Sequence, residues 1–195
     1  MKNEIENMET FIPTSRQDWR QWLEENHHSR YSIWLIYYKK QAKMPTISWS
    51  EAVNEALCFG WIDSVQKPID GEKYRQFFSK RKPNSVWSKI NKGKVEQLIA
   101  EKKMMEAGYK TIEIAQQNGS WTILDEVEKL IIPEDLNKAF ATQTGSKDFF
   151  LSLSKSIQKA ILQWLVLAKL LETRQKRINE IAELAAQKLK PKQFR

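Results

Sequence analysis

The chain is poor in the residues that carry the commonest chemistries. Cysteine occurs once, as Cys58, and histidine twice, as the neighbours His27 and His28. One cysteine excludes an internal disulfide framework and suits a reducing compartment. Two adjacent histidines at a helix end, where neighbours are expected to point apart, make a poor zinc site, so no metal is expected. Six scattered glycines form no Gly-x-Gly-x-x-Gly, no phosphate-cradling loop ending in Gly-Lys-Ser/Thr and no Gly-x-Ser-x-Gly elbow. No cofactor and no catalytic set are therefore expected. Long apolar runs are also missing. The start lacks a signal-like segment, and the most apolar stretch, 160–171, is interrupted by Gln163 and Lys169. A membrane span is not expected, and a cytoplasmic location is.

What is abundant is tryptophan, eight in 195 residues, and positive charge, net +8. The charge is uneven. Residues 73–104 hold 10 basic and 2 acidic groups, and residues 147–195 hold 11 and 4. Such blocks serve either as solvated helix faces or as a surface for an anionic partner, nucleic acid included.

Ser48 to Ser64 is the pivot of the chain. Ser48 and Glu51 form a capping box, and Ala52, Val53, Ala56 and Leu57 give the helix an apolar face. Gly60 stands where a left-handed terminator is needed, and Trp61-Ile62-Asp63 leads out. Cys58, on the apolar side, reads as buried and inert. Asp63 reads either as a general base or as a loop-capping, salt-bridging carboxylate.

Around the pivot, residues 1–10 are polar and expected to fray, and Phe11 to Pro13 suggests an edge strand. Ser15 caps a helix with Trp19, Trp22 and Leu23 inward. Ser32 to Lys40 is apolar on both alternating faces, the pattern of a central strand covered on both sides. Residues 64–69 and 72–79 predict a hairpin across Asp70-Gly71. Helices are predicted from Asn84 or Ser85 through Ile99, over 108–118, from Pro133, over 154–172 and over about 174–188. The acidic residues 125–128 read as a connector. The expected fold is α+β: a small antiparallel or mixed sheet packed with helices over 1–122, then an all-helical subdomain over 123–195. Trp34, Trp49, Trp61, Trp87 and Trp121 are expected in the core or in a ligand cleft.

Several stretches resemble the YdeI/OmpD-associated, or bacteriocin-protection, family. They are Trp34-Leu35 to Lys39-Lys40, Glu51 to Ser64, and Phe78 with Lys80 to Asn91. Met105 to Gly108, Asn118 to Trp121, Ile132 to Leu136 and Glu172-Thr173-Arg174 continue the likeness. Lys80 departs from the family's usual proline, and Leu170-Leu171 from a common Arg-Pro or Lys-Pro. The resemblance implies envelope stress or protection against bacteriocins and cationic peptides, and brings no active site with it. The expected ligand cleft lies near the pivot, bounded by Lys39, Trp61, Asp63, Arg81, Trp87 and Asn91. Lys39 and Arg81 suit a small anionic ligand, and the indoles supply apolar walls; a protein partner is the other expectation for the molecule. The alternative is nucleic-acid binding through the two basic blocks.

Overall fold

The computed structural model describes residues 9–195, so the fraying expected over 1–10 falls largely outside the described residues. The chain clusters into two compact units. One comprises residues up to Ser85 together with Ile90–Ser120, and the other Val86–Lys89 with Trp121–Arg195.

Unit 1 is α+β. A four-stranded mixed sheet runs in the order β1 (Thr10–Phe11), β2 (Ser32–Tyr38), β4 (Lys73–Lys80), β3 (Trp61–Pro68). β1 is parallel to β2, and the other pairs are antiparallel. β2 is central, and both of its faces are covered. Ile33, Leu35 and Tyr37 are fully buried on one face, with Phe78 opposite Ile33. On the other face Trp34 lies under Phe77, 5.0 Å between ring centroids, and under the Arg75 guanidinium at 4.4 Å.

The helices α1 (Arg16–Asn26) and α2 (Trp49–Cys58) are held together by side chains that the sequence places one turn apart. Ser15 caps α1 by accepting from Asp18 N. Trp19 donates from its indole to Ala52 O across 3.1 Å and packs edge-on to Phe78 at 5.5 Å. Glu55, 2% exposed, accepts from both Arg16 and Arg20. An isolated buried carboxylate would cost several kcal/mol, so this triad locks α1 onto α2.

The hairpin turn follows from Asp70, whose Oδ1 accepts from Glu72 N and Lys73 N at 2.8 Å each. β3 begins at Trp61, three residues earlier than the sequence predicts, because Gly60 hands the chain straight into the sheet opposite Lys80. Two helices complete the unit, α3 (Lys89–Ala100) and α4 (Glu106–Gln117). α3 starts four or five residues later than expected.

Unit 2 is helical: α5 (Asp125–Glu128), α6 (Glu134–Ala141), α7 (Ser146–Ser152), α8 (Lys155–Val166) and α9 (Leu171–Ala186). Its core gathers Leu136, Phe140, Phe150, Ile161, Leu165 and Ile178. Residues 125–128 form a short helix rather than a connector, and α8 stops six residues before Glu172. Arg174 of α9 clamps Asp135 of α6 through two bonds of 2.6 and 3.0 Å, and this pair holds the Asp135 carboxyl below its usual pKa. Among the described residues no helix is long and apolar enough to cross a membrane.

Candidate functional site

The pivot is built by two close backbone approaches. After α2, Gly60 adopts φ +73°, and a Cβ there would lie 2.8 Å from Ala107 O. A Cβ on Gly108 would lie 2.4 Å from Cys58 O. Only glycine at both positions lets α4 touch the end of α2, where Met105 N donates to Cys58 O at 3.1 Å. Arg81 N donates to Gly60 O at 2.9 Å, which brings the exit of β4 to the same place.

A pocket of about 210 Å³ opens where these elements converge. The end of α1 supplies His27 and His28, the pivot supplies Phe59, Gly60 and Trp61, and β4 with its exit supplies Lys80 and Arg81. α4 closes it with Ala107, Lys110, Thr111 and Ile114. The floor is continuous with the core, since Trp61 meets Trp22 edge-to-face at 5.8 Å. At about 30 Å³ per water the space equals roughly seven waters, the size of a small metabolite.

Among the described residues, every charged side chain lining the pocket is a cation. Arg81 is only 9% exposed; burial pushes its pKa down to about 10, against the opposing pull of Asp63. It is still protonated at neutral pH. Lys80 Nζ donates to His28 O at 2.9 Å and sits 4.5 Å from the Tyr31 ring centroid. Lys110, on the exposed side of α4, makes no ion pair among the described residues. The two histidines do not point apart as expected. Their ring centroids lie 3.7 Å apart, because α1 ends at Asn26 and the turn folds His28 back beside His27. His27 Nδ1 donates to Leu23 O at 2.8 Å, so its Nε2 is the nitrogen left to face a ligand.

Of the six residues singled out in the sequence, the structure brings Trp61, Asp63 and Arg81 to this end of the sheet. Asp63 lies on β3, two residues beyond Trp61 and beside a bulge. Its Oδ2 accepts from the Trp49 indole at 2.9 Å and from Gln76 Nε2 at 3.1 Å. Trp49 is 46% exposed, so the five tryptophans expected together do not form one cluster. Lys39 belongs to the opposite end. Its Nζ donates to Asp70 O and Gly71 O, roughly 20 Å away along seven residues of β2. Asn91 lies in the first turn of α3. Trp87 belongs to unit 2, where it meets Trp121 at 4.9 Å.

Lys80, Lys110 and the histidine pair line the pocket without having stood among the expected cleft residues. Lys80 is adjacent to Arg81 and was visible as a basic neighbour. Nothing in sequence ties Lys110 to residue 60; only the glycine contacts of α4 do.

The 73–104 basic block is largely engaged within the unit. Lys73 pairs with Asp70 at 3.3 Å, Lys103 pairs with Glu101 at 2.6 Å, and Arg75 covers Trp34. Lys94 Nζ donates to Ser50 Oγ at 2.7 Å and Asn54 Oδ1 at 2.6 Å. Among the described residues no group of His, Cys, Asp and Glu could hold a metal ion. Cys58 is buried, and burial followed by the Glu55 charge pushes its thiol up to about 11, which disfavours the nucleophilic thiolate.

Comparison with known proteins finds no match among curated proteins and none among solved structures. Residues 129–188, within unit 2, match the family model described as Bacteriocin-protection, YdeI or OmpD-Associated. Residues 11–111 match the model described as Domain of unknown function (DUF8412). Because that second match spans more than half of the chain, the protein belongs to the DUF8412 family, and it carries a bacteriocin-protection, YdeI or OmpD-associated domain after it.

Proposed function

We propose that this is a cytoplasmic, non-enzymatic binding protein that takes a small anion with an apolar body in the pivot pocket. One observation carries the reading: among the described residues the charged groups lining that pocket are all cations, and one of them, Arg81, is nine-tenths buried. An anion placed there offsets the desolvation that Arg81 already bears, while Ile114 meets an apolar body over the buried floor of Phe59 and Trp61. Binding rather than catalysis is favoured because Asp63 Oδ2 is occupied by two neutral donors and the Cys58 thiol is held protonated. The single buried cysteine suits a cytoplasmic setting. The name of the C-terminal family supports a role in protection against bacteriocins or cationic peptides and in envelope stress.

The test is thermal unfolding and calorimetry of the full chain with benzoate and phenyl phosphate. Saturation at about 100 times Kd stabilises by about 2.7 kcal/mol, which for a chain of this size raises Tm by about 5–10 °C. Arg81→Gln and Lys110→Gln are each expected to weaken binding at least tenfold. Stabilisation by neither probe, or equal stabilisation in both variants, contradicts the proposal.

A further inference from the structure

We infer that unit 2 carries a separate binding groove for a short, extended, acidic peptide segment. The groove, about 570 Å³, shares no residue with the pivot pocket. Ala160, Gln163 and Trp164 line it from one face of α8 and Leu167 from just past its end, Arg177 from α9, and Gln193 with Phe194 from the turn Lys192–Phe194.

Three features define what fits. Trp164 and Phe194 meet at 5.9 Å with their rings 78° apart, leaving an aromatic corner open to the groove. Such a corner takes one apolar side chain. The carboxamides of Gln163 and Gln193 make no hydrogen bond among the described residues. A planar primary amide presents a donor and an acceptor side by side, the same pair that a peptide backbone presents in reverse. Arg177 lies with its guanidinium carbon 4.8 Å from the Trp164 ring centroid and donates one N–H to Trp164 O. Among the described residues it is the only charged one lining the groove, and the ring contact and the hydrogen bond hold it in place.

Charge and length select the occupant. Unit 2 as a whole holds 14 basic and 9 acidic groups, with 11 and 4 of them in residues 147–195 that form the groove, which favours an acidic chain over a basic one. From Ala160 to Leu167 the helix rises about 10 Å, the length of roughly three extended residues. An acidic segment would place a carboxylate on Arg177, an apolar side chain on the aromatic corner, and its backbone on the two glutamines.

The experiment uses the full chain and a fluorescein-labelled hexapeptide, Asp-Glu-Leu-Phe-Asp-Glu, in polarisation titrations at about 50 mM salt, where charge pairing is least screened. The lysine counterpart Lys-Lys-Leu-Phe-Lys-Lys, an oligo-dT strand and maltohexaose run beside it. Expected are saturable binding of the acidic peptide and none of the lysine peptide. Arg177→Gln and the double variant Gln163→Ala/Gln193→Ala each weaken it at least tenfold, while Arg81→Gln in the pivot pocket leaves it unchanged. Equal binding of both peptides, stronger binding of oligo-dT or maltohexaose, or unchanged affinity in both groove variants overturns the inference. Because Arg81→Gln reads the pivot pocket alone, failure of one site is separable from failure of the other.

Discussion

Two glycines inside helices obey opposite rules. Gly93, in the exposed part of α3, has nothing within 4 Å of where a Cβ would stand. Gly93→Ala is expected to stabilise by about 0.5–1 kcal/mol through helix propensity and the unfolded chain's lost freedom. Gly108→Ala gains the same propensity but drives a methyl to 2.4 Å from Cys58 O, a backbone atom that cannot swing aside. It is expected to destabilise by about 1–3 kcal/mol, as overpacking does. Thermal unfolding of the two variants checks both signs, and a Gly108→Ala protein as stable as wild type would remove the close approach on which the pocket is built. Cys58 supplies a pH signature. Its thiol ionises at about 11 in the folded chain against an ordinary value of 9.0. The raised value means that folding favours the neutral thiol. This contribution is whole below pH 9 and disappears as pH rises through about 11. The stability difference between wild type and Cys58→Ala should therefore shrink between those two pH values and stay flat from pH 6 to 8.

At the scale of elements, the parts that the sequence made legible are those whose cause is local. The Ser48 box forms as read: Ser48 Oγ accepts from Glu51 N at 3.2 Å, and Glu51 Oε2 accepts from Ser48 N at 3.0 Å. Ser48→Ala should cost about 1 kcal/mol, measurable by denaturant unfolding. The Asp70 turn and the Gly60 reversal are local too. The end of α8 was not legible, because its apolar spacing continues through Ala168 and neither glycine nor proline marks a stop. The stop is made from a distance. Arg177 of α9 donates to Trp164 O, a carbonyl of the last turn of α8, and Arg174 donates to Leu165 O, which also accepts from Ala168 N at 3.1 Å. Arg174→Met removes this cap together with the Asp135 clamp, and is expected to lower the stability of unit 2 by about 1–3 kcal/mol. α7 was missed for another reason: at seven residues, following Gly145 at φ +76°, it is too short to show a periodicity.

For the molecule as a whole, the α+β class was readable from the switch of hydrophobic period near residue 84. The YdeI/OmpD-associated likeness holds for residues 129–188, whereas the motifs of residues 34–108 fall within the stretch 11–111 that matches a different family model. The site was readable only in part. Trp61 and Arg81 are near the glycine that builds the pocket and draw notice, whereas Lys39 is close to them in pattern but at the far end of β2. Net charge was a weaker guide than its placement, since much of the 73–104 block is spent on Trp34, Asp70, Ser50, Asn54 and Glu101. The most direct measurement of the central claim is an amide and side-chain NMR titration of the full chain with phenyl phosphate. Shifts are expected to saturate together at residues 27–28, 59–61, 80–81 and 107–114, with the Trp61 indole and His27 ring among the largest. Non-saturating shifts spread over the lysine-rich surface, or a saturating set that omits Trp61 and Arg81, would contradict the account.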